Sequence, residues 1–195
     1  MEENIDSFLK KQQECINEII CSQKEIISEI IKKILEARDN NKKIFTIGNG
    51  GSGSTASHFV ADLLKTAITK EHERFSAFSL VDNVPVLLAW SNDTNYEDIF
   101  AEQLKNHIRK GDLIIALSGS GNSQNVINAL ETGKNNGAFC IGMSGMSGGK
   151  MAKMCDISII VPNDDMLTIE STHLIICHCI ISIIRNLGNP MFRYE

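Results

Sequence analysis

The side chains of this chain best suited to chemistry are His58 with Asp62, four apart, and Glu170 with His178, eight apart. Proton transfer needs groups that give and take a proton near neutral pH, and imidazoles beside carboxylates meet that need. On a helix, His58 and Asp62 share one face. Glu170, His173 and His178 fall in an otherwise apolar helical run. Eight residues put Glu170 and His178 about 12 Å apart along it. That is too far to grip one small ion, so another element or another subunit must complete any shared site. Polar groups on a core helix are costly unless partnered, and a structural Glu170–His173 pair at i,i+3 is the plain alternative.

His58 follows a loop with its own chemistry. From Phe45 to Leu64 the chain reads FTIGNGGSGSTASHFVADLL. A β-branched and aromatic run enters the glycine- and serine-rich turn Gly48–Ser54, and an amphipathic helical stretch leaves it. A helix start after such a turn offers unpaired N–H groups and a positive dipole end, a natural anion site. This suggests a phosphate-bearing small molecule held at the turn, with His58 and Asp62 reaching its other end. Gly48-x-Gly50-x-x-Gly53 also spells the dinucleotide fingerprint, with Asp82 at the end of the next strand in the place of a ribose-binding acid. Against a nucleotide cofactor stand the shortness of the chain and a second hydroxyl-rich loop, Ser118-Gly119-Ser120-Gly121-Asn122-Ser123. One such loop alone reads as a capped glycine turn. Two, each after a core strand, point to phosphate. Neither holds the lysine of a nucleotide P-loop. A third glycine segment, Ser144–Lys150, reads as a turn.

The elements that must hold these loops alternate. Apolar residues recur at helical spacing from Ile5 to Leu35, as one long helix or two. Strands are expected at 43–47, 75–81, 113–117, 138–143 and 157–161. Helices are expected at about 52–68, 85–107, 122–135, 148–154 and 165–187. This predicts an α/β fold, a doubly wound five-stranded parallel sheet flanked by helices, with an N-terminal helical extension. Ligands of such sheets sit beyond the carboxyl ends of the strands. The 195 residues read as one domain, with no repeat or linker, and the apolar stripe of residues 1–40 hints at packing between subunits. A formal charge of −5 argues against nucleic acid as a partner. No stretch reads as a membrane span or a signal peptide, which makes the cytoplasm the expected location. The six cysteines form no C-x-x-C pair and read as reduced core residues.

The motifs GNGGS with His58, Ser91-Asn92-Asp93, SGSGNS, GGKMA and Ile169–His178, in this order over nearly the whole chain, resemble the sugar isomerase (SIS) domain proteins. Within them the pattern is most similar to the bacterial phosphoheptose isomerase branch. The resemblance implies conversion of sedoheptulose 7-phosphate to the manno-heptose 7-phosphate through an enediol(ate). It implies phosphate held by Ser52, Ser118, Ser120 and Ser123 with support from Asn49 and Gly50, and sugar hydroxyls met by Asp93. It further implies His178 as acid/base partner, a homotetramer with sites between subunits, and zinc at the catalytic cluster in some members. Three positions depart from the pattern: Asp62 stands for a catalytic Glu, Glu170 for a Gln, and Gly119 for a hydroxyl residue. Asp62 is shorter by one methylene, so either Asp62 or Glu170 can serve as the base. His58, Asp62, Glu170 and His178 together also form a donor set suited to zinc. The alternative is a non-catalytic SIS module that binds a sugar phosphate or, as certain paralogues do, the replication initiator.

Overall fold

A computed structural model describes residues 1–192. Two helices, α1 (Glu2–Ser22) and α2 (Lys24–Asp39), precede β1 (Lys43–Ile47). Then follow α3 (Gly50–Ala61), a π-helical turn (Asp62–Thr66), β2 (Ser76–Ser79), α4 (Val84–Asp93), a 3-10 turn (Tyr96–Asp98) and α5 (Ala101–His107). The rest is β3 (Leu113–Ser118), α6 (Gln124–Asn135), β4 (Phe139–Gly145), α7 (Gly149–Met154), β5 (Ile157–Val161) and α8 (Met166–Asn186). The strands form one parallel sheet in the order β2-β1-β3-β4-β5. The chain therefore winds away in opposite directions from the neighbours β1 and β3. The loops after these two strands flank the switch point, where open α/β sheets bind their ligands. They are the two glycine–serine loops.

The strands explain both cores. β3 is buried along its whole length, as its continuous apolar run requires. Its alternate residues feed opposite faces. Leu113, Ile115 and Leu117 join Ile44, Ile141, Met143 and Ile159 under α2, α3 and α8. Ile114 and Ala116 join Phe45, Ile47 and Cys140 under α5 and α6.

Of the two forms expected for the N-terminal stripe, one long helix or two, the structure has two, which break at Gln23, a residue with no helix-breaking character. The break frees the Gln23 side chain to pair with the outer edge of β5, donating to the Ile160 carbonyl at 2.6 Å and accepting from its N–H at 3.0 Å. The helix expected over 85–107 is cut into α4, the 3-10 turn and α5. Thr94 Oγ1 donates back to the Trp90 carbonyl, and Asn95 Oδ1 accepts from the Glu97 N–H, contacts that compete with helix continuation. Finally, α8 is long and apolar enough to cross a bilayer by length and composition, where no such stretch was expected. One face is spent inside the fold, with Ile169, Ile176, Cys177, Ile180, Ile181 and Ile184 all buried, while Leu167, Ile175 and Ile183 are exposed.

Candidate active site

The first loop leaves β1 at Gly48. A side chain there would stand 2.7 Å from the Ser52 carbonyl group, so the turn closes only on glycine. Asn49 sits at the N-cap of α3 yet makes no cap hydrogen bond with its side chain. Its amide is committed elsewhere, in a reciprocal pair with Asn125 of α6, each Nδ2 donating to the other's Oδ1 at 2.9 Å. The Tyr96 hydroxyl also donates to Asn49 Oδ1, at 2.8 Å. These contacts tie the first loop to the helix that follows the second. Ser52 is buried beneath the turn, and Gly50 is exposed at a φ of 52°.

In the second loop, Ser118 and Ser123 bring their hydroxyls 3.1 Å apart, and Ser120 Oγ accepts from the Asn122 N–H. The third glycine segment is a turn that also buttresses this loop. Met151 N–H donates to the Gly121 carbonyl and Lys150 N–H to Asn122 Oδ1.

Two turns along α3 and eight residues along α8 from these loops, three side chains meet. His58 Nε2 and His178 Nε2 lie 3.3 Å apart, and Asp62 Oδ2 stands 3.6 Å from the first and 3.7 Å from the second. The rings meet edge to face with centroids 4.9 Å apart. Asp62 opens the π-helical turn, a local widening that recurs at functional sites. Its other oxygen accepts from Thr66 Oγ1 at 2.8 Å, which fixes the carboxylate. Cys177 lies behind it; burial, with Asp62 adding, pushes that thiol up to about 12, so it stays protonated. Both imidazoles are about half exposed.

Facing nitrogens at this separation share a proton or jointly face a cation. Two imidazole nitrogens and one carboxylate oxygen, all within 4.8 Å of one another, make a three-donor set of the kind that holds catalytic zinc with a position left open. The set fits the metal.

Glu170 is not part of this cluster. Its carboxyl group rests on Gly51, where an added methyl would overlap all three carboxyl atoms. Nor does it pair with His173. That imidazole is fully buried and bonds the Ser144 carbonyl through Nε2 at 3.1 Å. Asp93 ends α4, exposed, and accepts from Asn92 Nδ2; the structure brings it to neither loop. Between α3 and α4 a cavity of about 680 Å³ opens over the first loop, with Asn49, Ser54, Ser57, Leu87 and Ser91 among its walls. The His–Asp–His cluster lies outside it.

Sequence reasoning missed Asn125 and Tyr96. An asparagine set among the core-facing residues of α6, directly before Val126 and Ile127, was the available signal for the first.

The SIS domain profile matches residues 7–145. A phosphoheptose isomerase of Aliarcobacter butzleri is 38% identical over 182 residues, covering 93% of this chain and 95% of that protein. One from Helicobacter pylori is 37% identical over 185 residues, covering 90% and 95%. Among solved structures, phosphoheptose isomerases from Neisseria gonorrhoeae and Francisella tularensis superpose with TM-scores of 0.89 and 0.89 at 26% and 28% identity. They cover 95% and 94% of this chain and 98% and 97% of their own.

Proposed function

Because this chain belongs to the SIS domain family, we propose that it is a phosphoheptose isomerase, an aldose–ketose isomerase of sedoheptulose 7-phosphate. The observation that carries the reading is the convergence of His58 of α3, Asp62 of the π-helical turn that continues it and His178 of α8, the helices that border the glycine loops. A scaffold that only binds a partner has no use for two imidazoles aimed at one point, so the non-catalytic alternative is not favoured.

The isomerisation moves a proton between C1 and C2 and needs a base, an acid and a group that polarises the carbonyl. Asp62 Oδ2, the carboxylate oxygen turned into the cluster, takes the carbon proton. His178 gives and recovers the proton on the sugar oxygen. Ser118, Ser120 and Ser123, with the amides at the start of α6, hold the phosphate. Asn49 positions the first loop through its pair with Asn125, and Asp93 is given a sugar hydroxyl only by the resemblance of its motif. The same three side chains could instead hold zinc, which would supply polarisation of the carbonyl. Ligated through Nε2 and Oδ2 they would carry no proton, so the acid and base roles above belong to the metal-free cluster. The cluster is half exposed in one chain, which supports a homotetramer with sites completed between subunits, residues 1–40 forming part of the contact. All six cysteines are free thiols, which suits the reducing cytoplasm.

Incubation with sedoheptulose 7-phosphate in D₂O, with and without zinc, and observation by NMR test the reading. Deuterium enters the sugar and the aldose forms. No exchange in any ketose phosphate would sink the proposal. Asp62→Asn lowers turnover by about 10²–10⁴-fold, whereas Glu170→Gln leaves the carbon-proton step running. The reverse pattern would transfer the base role to Glu170.

A further inference from the structure

The aim of the Asp62 carboxylate is not set by its own side chain. The torsion that turns a carboxylate about its last bond is broad, so no rotamer preference decides which oxygen faces the imidazoles. A hydrogen bond decides it. Asp62 opens the π-helical turn Asp62–Thr66, in which the Ala67 N–H, five residues on, donates to the Asp62 carbonyl at 2.9 Å. A helical threonine ordinarily turns its hydroxyl to a backbone carbonyl one turn back. Here Ala67 takes that carbonyl, and Thr66 Oγ1 donates to the carboxylate instead, to Asp62 Oδ1 at 2.8 Å. The turn is anchored, with Leu63 and Ala67 both buried in the core. The Asp62 side chain is only 17% exposed, which leaves little water to compete for Oδ1. Oδ2 is thereby left toward His58 and His178, at 3.6 and 3.7 Å.

We propose that Thr66 is a positioning residue for the reaction, its hydroxyl holding the Asp62 carboxylate with Oδ2 toward the two imidazoles. The proposal deepens the isomerase reading above and rests on its choice of Asp62 as the working carboxylate. Thr66 itself touches no reacting atom. With Oδ1 engaged, Asp62 has one oxygen to offer. In the metal-free cluster that oxygen meets a carbon-bound proton, and a base displaced by about 1 Å is a far poorer base. With zinc on the cluster the same oxygen is a ligand, and groups that orient a ligand in this way carry much of a metal site's affinity. Thr66 lies on neither glycine–serine loop, so sugar-phosphate binding is indifferent to it.

Two variants test the assignment. Thr66→Val keeps the branched shape and removes the hydroxyl, whereas Thr66→Ser keeps the hydroxyl and drops a methyl. In a crystal structure of metal-free Thr66→Val the carboxylate turns and Oδ2 leaves the two Nε2 atoms; in Thr66→Ser it stays. Zinc, titrated against a chromophoric chelator, binds Thr66→Val about 10–100-fold more weakly than the native chain and Thr66→Ser about as tightly. With metal removed, kcat on sedoheptulose 7-phosphate falls by up to about 10²-fold in Thr66→Val while KM is unchanged, and serine recovers the loss. A residue that only supported the fold would lower the unfolding midpoint and move none of these readouts. A valine variant with Asp62 unmoved would overturn the proposal, as would native zinc affinity in that variant. A loss that falls on KM, or that serine does not recover, would overturn it too. The crystal comparison needs neither zinc nor turnover. A chain that shows the turned carboxylate in Thr66→Val but exchanges no deuterium in its native form would defeat the isomerase reading and leave the role of Thr66 standing.

Discussion

His58 and His178 come from stretches 120 residues apart and end with their Nε2 atoms 3.3 Å from each other. The sequence showed which residues could take part, because the i,i+4 spacing of His58 and Asp62 fixes a shared face. It could not show that Glu170 would point away, since that depends on which turn of α8 crosses α3. His173 looked like a possible partner of Glu170, but burial decides its state. Its Nε2 bonds the Ser144 carbonyl, its Nδ1 has no partner among the described residues, and desolvation drops its pKa from 6.5 to about 4. The unfolded chain therefore binds one more proton than the folded one between these values. The contribution is fully present above pH 6.5 and is lost as pH falls toward 4, a change on the order of 3 kcal/mol. Urea unfolding of the native chain and of His173→Gln, which keeps a donor for Ser144 but cannot titrate, measures it. The native chain loses more stability than the variant from pH 7 to pH 4.5. Parallel curves would refute the assignment.

At the scale of elements, hydropathy alone located the five strands to within two residues, because a sheet covered on both faces demands apolar runs and the glycine turns punctuate them. The helices were less legible where side chains bond their own backbone, as at Thr94 and Asn95. They were also less legible where a break serves a distant strand. Gln23 is the clearest such case. Its amide stands in for a neighbouring strand at Ile160 and covers part of an edge that would otherwise be open to another chain. Gln23→Ala leaves the Ile160 N–H and carbonyl without these partners and costs about 1–3 kcal/mol. The midpoint of thermal unfolding then falls by several degrees. Gln23→Glu, which can accept but not donate, recovers only part of the loss. An alanine variant as stable as the native chain would show that water serves the edge equally well.

Over the whole molecule, apolar surface is distributed unevenly. α1 has twenty-one residues and buries only Cys15 and Ile19, while Ile5, Leu9 and Ile20 are more than half exposed. Beside it an apolar groove of about 530 Å³ runs between α1, α2 and α8, walled by Ile20, Ile27, Ile31, Leu35, Ile183 and Leu187. A helix that keeps its apolar stripe outside its own fold is suited to bury it against another copy, each large side chain so covered contributing about 1.5–3 kcal/mol. His178 of the half-exposed His–Asp–His cluster lies on the same α8, so association and catalysis share an element. Leu9→Glu with Ile20→Glu should therefore lower the mass measured by light scattering and reduce deuterium exchange into the sugar together. The circular dichroism of the subunit should stay the same, because neither side chain supports its core. A native chain that runs as a monomer would rule out the shared interface. So would a doubly substituted chain that stays assembled, because the stripe on α1 would then be surface and not contact.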